Sequence, residues 1–253
     1  MRFSANLGFL WTDRALPDAI RAAKAAGFDA VECHWPYDTP AAAVRDALQE
    51  TGLPMLGLNT RRGDVQAGEN GLSALPEHES RARNAIDEAI AYAIETGTGA
   101  VHVMAGKAAG PRAREAFCKT LGYACRQAGP HGITILIEPL NHYDAPGYFL
   151  STTDQAAALI HELGFENLKL MFDCYHVQIM EGDVTRRLAR LLPLVGHIQV
   201  ASVPDRGAPD HGELNYQFVF HEIDRLGWVK PVGAEYRPAE GEPVGTGWLL
   251  RPR

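Results

Sequence analysis

Four acid or amide side chains stand where apolar, strand-like runs of this sequence end. ILIEPLNH carries Glu138, LMFDCYH carries Asp173 and His176, HIQVAS carries His197 and Gln199, and GAEY carries Glu235. Three carboxylates brought together repel, since like charges at short range disfavour joint ionisation. A divalent cation removes that conflict. Glu138, Asp173, Gln199 and Glu235 form an all-oxygen set for one, the amide binding through its carbonyl. Such hard donors suit Mg²⁺ or Mn²⁺ better than a thiolate-seeking ion. Taken singly, each acid is also what a strand end or a helix cap uses. Four at equivalent places in consecutive units point to one site.

Nearby polar residues read less sharply. His176 lies three after Asp173, about one turn on if a helix starts there. Arg206 and Glu213 lie in the loop VPDRGAPDHGELN, and His102 and Lys107 in VHVMAGK. Helix-start polarity, a solvated loop and a satisfied core histidine are the competing readings. The His-Glu pairs at 161–162 and 221–222 lack the second His of a zinc-protease helix.

The elements that must position these residues alternate. Strand-like runs fall at Phe3–Leu7, Ala30–Cys33, Leu53–Asn59, Ala100–Met104, Ile133–Glu138, Leu168–Asp173, Val195–Val200 and Val232–Tyr236. Helical patterns between them cover Pro17–Ala26, Pro40–Glu50, Glu77–Thr96, Arg112–Ala128, Thr153–Leu163, a stretch ending at Leu192 with a break near Gly182, and Tyr216–Leu226. Their apolar stripes recur every three or four residues, as a helix lying on a sheet requires. A long Gly-rich loop fills 60–76. Alternation of this kind implies a parallel sheet, and eight units in about 250 residues is the size of a (β/α)₈ TIM barrel. A doubly wound sheet would announce a GxGxxG turn after the first strand, and none is present. Few residues follow the eighth strand, so the last helix is expected to be short or missing. Residues 1–253 read as a single barrel domain. In such a barrel, reactive groups come from the C-terminal strand ends, which is where the four acid and amide residues lie.

Composition narrows the classes. A net charge of −7 disfavours broad phosphate-backbone binding, so no nucleic-acid partner is expected. No apolar run spans a bilayer, and the opening MRFSANLGFLWTD lacks signal-peptide features, so the expected location is cytoplasmic without membrane attachment. Cys33, Cys118, Cys125 and Cys174 show no zinc spacing and are expected as reduced thiols. Homo-oligomerisation stays open.

EPLNH, FDCYHVQIMEGD, HIQVASVPDRGAPDHGELNY and the opening RFSANLGFLW resemble the hydroxypyruvate isomerase family, within the xylose-isomerase-like barrel superfamily, over essentially the whole chain. The loop NTRRGDVQAGENG resembles it too, reading NTRRGD where better-known members have NLPAGD. The resemblance implies that Glu138 and Glu235 both hold metal and exchange the substrate proton, with Asp173 and Gln199 completing the metal set. It places His176 and Arg206 against substrate oxygens. The implied reaction interconverts hydroxypyruvate and tartronate semialdehyde (2-hydroxy-3-oxopropanoate) by metal-assisted enediolate proton transfer between two glutamates. Arg206 would take the substrate carboxylate, with Lys107 as its alternate, and His102 and Glu213 complete the expected substrate contacts. Alternatives on the same site are a 2-oxo-tetronate isomerase and a ketose 3-epimerase. A barrel-fold DNA repair endonuclease, against which the charge and Gln199 argue, and a non-catalytic binding barrel are more distant ones.

Overall fold

A strand covered by helices on one face and by packed side chains on the other needs no polar alternation. The apolar runs accordingly become eight short, almost wholly buried strands. The structure, a computed structural model, describes residues 1–238, 244 and 246–249. In chain order it contains β1 (Phe3–Asn6), α1 (Leu16–Ala25), β2 (Ala30–Glu32), α2 (Ala41–Thr51), β3 (Leu58–Asn59) and α3 (Glu79–Thr96). There follow β4 (Ala100–His102), α4 (Gly110–Ala128), β5 (Thr134–Ile137), α5 (Thr153–Leu163) and β6 (Leu168–Asp173). The series ends with α6 (Cys174–Met180), α7 (Val184–Leu191), β7 (Val195–Val200), α8 (Tyr216–Arg225) and β8 (Val232–Ala234).

All ladders are parallel, in the order β2-β1-β8-β7-β6-β5-β4-β3. The third strand is shorter than its apolar run suggests. Pro54 has no N–H to give a ladder, and only a single parallel bridge, Val31 to Met55, joins this run to β2 outside the named strands. Backbone bonds from Val31 N to Pro54 O, Leu56 N to Val31 O and Cys33 N to Gly57 O nevertheless close the barrel there. The fold is thus the expected TIM barrel.

The helices form where stripe and caps agree. α3 buries Ala82, Ile86, Ala89, Ile90 and Ala93, and α4 buries Phe117, Leu121, Ala124, Cys125 and Ala128. Thr152 caps α5 by accepting from Gln155 N, and Gly164, at φ +63°, ends it in a left-handed turn. The break expected near Gly182 separates α6 from α7. The short or missing last helix falls largely outside the described residues. Trp248 packs edge-on against Phe3, with ring centroids 5.1 Å apart. All four cysteines are free, and no helix among the described residues is long and apolar enough to cross a membrane.

Register puts the strand ends at one level. Asn6 pairs with Glu32, Asp173 with Gln199, and Gln199 with Gly233. The site is built from that level.

Candidate active site at the barrel mouth

Asp173 ends β6 and begins α6, and its two oxygens divide the work. Oδ1 accepts from Tyr175 N at 2.9 Å and caps the helix. Oδ2 is buried with no hydrogen-bond partner. The helix cap and the reactive strand end are therefore the same side chain. Glu138, just past β5, likewise has a buried Oε1 without a partner, while its Oε2 lies 3.6 Å from His102 Nδ1. Ligating atoms of Glu138, Asp173, His176 and Glu235 all lie within 4.8 Å of one another, and all four residues are buried.

Crowding shows in their acidity. Burial, reinforced by the charges of Glu235 and Asp173, pushes the Glu138 carboxyl well above the carboxylate range. Burial and Glu235 push Asp173 up to about 8. Burial acts on Glu235 as well, but the charge of Arg206 and the bond from His34 hold it below its usual value. Its Oε2 accepts from Arg206 Nη2 at 2.6 Å, and its Oε1 from Asn6 Nδ2 at 2.9 Å and His34 Nε2 at 3.0 Å. A carboxylate offers about four lone-pair positions, so Glu235 retains one for a further partner.

Gln199 on β7 has a forced orientation. Its Nε2 donates to Glu32 Oε1 at 2.8 Å. A carboxylate can only accept, so the amide nitrogen faces Glu32 and the carbonyl oxygen faces elsewhere. That Oε1 is also buried and without a partner. Glu138 and Asp173 thus each bring an unsatisfied buried oxygen to the cluster, which a hard divalent cation would satisfy, and Gln199 carries a third such oxygen on the neighbouring strand. The cluster can hold a metal ion.

His176 fits a different task. The backbone N–H of Asn141 donates to its Nδ1 at 3.0 Å. Burial, with Arg206 beside it, lowers the imidazole pKa to about 3. A neutral ring whose Nδ1 accepts must carry its proton on Nε2. Nε2 then lacks a lone pair for a metal and instead points an N–H toward Asp173 Oδ2 at 3.6 Å and Glu138 Oε1 at 3.8 Å. Its 3.4 Å approach to Arg206 Nη2 sets two donors side by side and forms no bond. His102, lowered to about 4 by burial, has both ring nitrogens free of hydrogen bonds.

A cavity of about 260 Å³ opens above the cluster, lined by His34, His102, Glu138, His176, Arg206 and Glu235 among others. It brings together five of the residues singled out in the sequence. Lys107 and Glu213 are exposed and line none of it. Gln199 lines a second cavity of about 290 Å³ deeper in the barrel, together with Glu32 and His197. Arg206, at φ +56°, is clamped between the rings of Phe9 at 4.8 Å and Tyr175 at 4.9 Å. Its Nη1 donates to Asp144 Oδ2 at 3.0 Å.

Sequence reasoning missed Asn6, Glu32, His34 and Asp144. Glu32 was within reach, because it ends β2 as Glu138 follows β5. It accepts from Ser4, Asn6, His197 and Gln199, and although burial opposes ionisation, the His197 and Gln199 donors hold its pKa below the ordinary carboxylate value.

The model of the xylose isomerase-like TIM barrel family matches residues 20–250. The 2-oxo-tetronate isomerase of Cupriavidus necator is 45% identical over 252 residues, covering 98% of this chain and 97% of its own. The hydroxypyruvate isomerase of Escherichia coli is 35% identical, covering 98% of both. Among solved structures, AP endonuclease, family 2, from Brucella melitensis superposes with a TM-score of 0.94 at 36% identity, over 98% of this chain and 97% of that one.

Proposed function

Because the chain belongs to the xylose isomerase-like TIM barrel family and is an enzyme of the isomerase class, we propose that it moves a proton between adjacent carbons of a short 2-oxo acid. Hydroxypyruvate, interconverted with tartronate semialdehyde, is the three-carbon substrate. The four-carbon 2-oxo-tetronate is the second reading, favoured by the higher identity to the Cupriavidus necator enzyme. The whole of residues 1–253 serves as one barrel domain.

One observation carries the reading: two buried glutamates from non-adjacent strand ends converge on one cluster. β5 and β8 are separated in the sheet by β6 and β7, so Glu138 and Glu235 approach a bound substrate from different walls. One withdraws the proton beside the carbonyl and the other returns a proton to the carbonyl carbon, as positioned acid–base pairs do, while the hydroxyl proton passes from its oxygen to the former carbonyl oxygen. Mg²⁺ or Mn²⁺ held by Glu138, Asp173, Gln199 and Glu235 would supply Lewis-acid stabilisation of charge on the substrate oxygens. His176 presents Nε2–H to a substrate oxygen, and Arg206 keeps Glu235 ionised and in place.

Proton NMR in D₂O with three- and four-carbon oxo acids tests this directly. Deuterium should enter the carbon next to the carbonyl, and Glu138→Gln and Glu235→Gln should each lower turnover at least ~10²-fold. Full activity in either variant would remove that glutamate from the proton path.

A further inference from the structure

Three arginines line the mouth cavity, Arg62, Arg206 and Arg237, and they are in different electrostatic states. Arg206 is already neutralised. Its Nη2 is 2.6 Å from Glu235 Oε2 and its Nη1 is 3.0 Å from Asp144 Oδ2, while aromatic rings cover the guanidinium. A substrate carboxylate arriving there would meet the Glu235 carboxylate on the same nitrogen. Arg237 is exposed, so water screens its charge.

Arg62 is half-buried, and among the described residues no carboxylate pairs with it. It is nonetheless held. Its guanidinium lies over the Trp35 ring at 4.8 Å, and its Nε donates to Asn70 Oδ1 at 2.8 Å. Trp35 is fixed in turn by its Nε1 donating to Thr60 O at 3.1 Å. The loop closes on itself where Gly71 N donates to Arg62 O at 2.8 Å, and Ala74 N ties it to Ala105 O at 2.7 Å. Gly71, at φ +109°, permits that approach, because a Cβ there would lie 2.7 Å from Gly106 N and Met104 O. Of the five N–H groups of a guanidinium, one is used among the described residues, and the four on Nη1 and Nη2 are left to a planar anion.

We propose that Arg62, and not Arg206, binds the carboxylate of the substrate, orienting a short oxo acid with its anionic end at the rim and its carbonyl end over the buried acid cluster. The proposal rests on the reading of the site as an oxo-acid isomerase and adds the residue that selects an acid over a neutral sugar. A guanidinium stacked on an aromatic ring and fixed at Nε loses little freedom on binding, and its fork matches a carboxylate bidentately.

The test uses the full chain with saturating Mg²⁺ and a matched pair of unreactive ligands, glycerate and glycerol, which differ only in the carboxylate. By calorimetry the wild type should bind glycerate more tightly than glycerol. Arg62→Ala should weaken glycerate about 10–100-fold, the loss of hydrogen bonds to a charged group, and leave glycerol unchanged. The KM for the oxo acid should rise by a similar factor with kcat within about threefold, since binding shared by ground and transition state affects KM alone. Arg62→Lys should recover part of the loss and guards against a loop defect in the alanine variant. An unchanged glycerate affinity in Arg62→Ala, or an equal loss for glycerate and glycerol, overturns the proposal. If the wild type exchanges no oxo-acid proton yet prefers glycerate in an Arg62-dependent way, the anion site stands and the isomerase reading falls.

Discussion

Replacing Glu32 in two ways separates a charge effect from an orientation effect on Gln199. The carboxylate receives Asn6 Nδ2 at 3.1 Å and Gln199 Nε2 at 2.8 Å on Oε1, and Ser4 Oγ at 3.0 Å and His197 Nε2 at 2.6 Å on Oε2. In Glu32→Gln the new amide nitrogen can only donate. It should settle at the Oε2 position, because a hydroxyl can rotate and an imidazole can change tautomer to accept, whereas the Asn6 and Gln199 nitrogens cannot. Gln199 then keeps its acceptor and its orientation. The cost is that of charge-assisted bonds becoming neutral ones, about 1–2 kcal/mol of stability. In Glu32→Ala all four donors lose their partner, which at about 1–3 kcal/mol each would reach about 4–12 kcal/mol. The adjoining cavity of about 290 Å³ is large enough for water, so we expect the lower end, about 4–5 kcal/mol. Gln199 Oε1 is then free to turn, and cation affinity should fall about 10–100-fold, as when the partner of a ligating side chain is removed. Urea denaturation reads the first quantity and Mn²⁺ titration calorimetry the second. Unchanged Mn²⁺ affinity in Glu32→Ala, or equal losses in both variants, would refute the orientation argument.

Gly233→Ala places a Cβ 2.8 Å from Gln199 Cγ and 2.8 Å from both Glu32 oxygens. It should cost about 1–3 kcal/mol by overpacking and lower cation affinity, read by thermal denaturation and titration. Glu69, held at about 2 chiefly by its bond to Arg81, lies below the unfolded value of about 4.3. Its hold on the 60–75 loop is therefore full above that value and lost as pH falls toward 2. Proteolytic nicking of the loop with an acid-active protease should rise over that window in the wild type and be independent of pH there in Glu69→Gln; the same pH profile in both would refute it.

The barrel was legible because its strands are short apolar runs and its helices carry stripes, both local patterns. Where a local rule met an exception the reading slipped, as at β3, where Pro54 removes a ladder donor from an otherwise strand-like run. The gathering of Glu138, Asp173 and Glu235 was legible for a topological reason: a parallel barrel sends every strand's C-terminal end to one face. The same topological rule places Glu32, the last residue of β2, on that face as well. Loop side chains obey no such rule. Lys107 follows β4 as closely as Arg206 follows β7, yet it is exposed, as is Glu213 farther along the same loop as Arg206.

What the sequence withholds is the pairing of charges. Arg206 reads as an unpaired cation near the site, and so as a carboxylate receptor, until its partners 29 and 62 residues away are seen. In the proposed reading, those partners change its task from recognising substrate to restraining Glu235. The free guanidinium is then to be sought among arginines that lack such partners. Arg62 meets that condition because the nearby acids are engaged elsewhere: Glu69 with Arg81, and the Asp64 carboxylate with the N–H groups of Gln66 and Ala67. The electrostatic role of each arginine at this mouth is set less by its distance from the cluster than by which carboxylates have already claimed it.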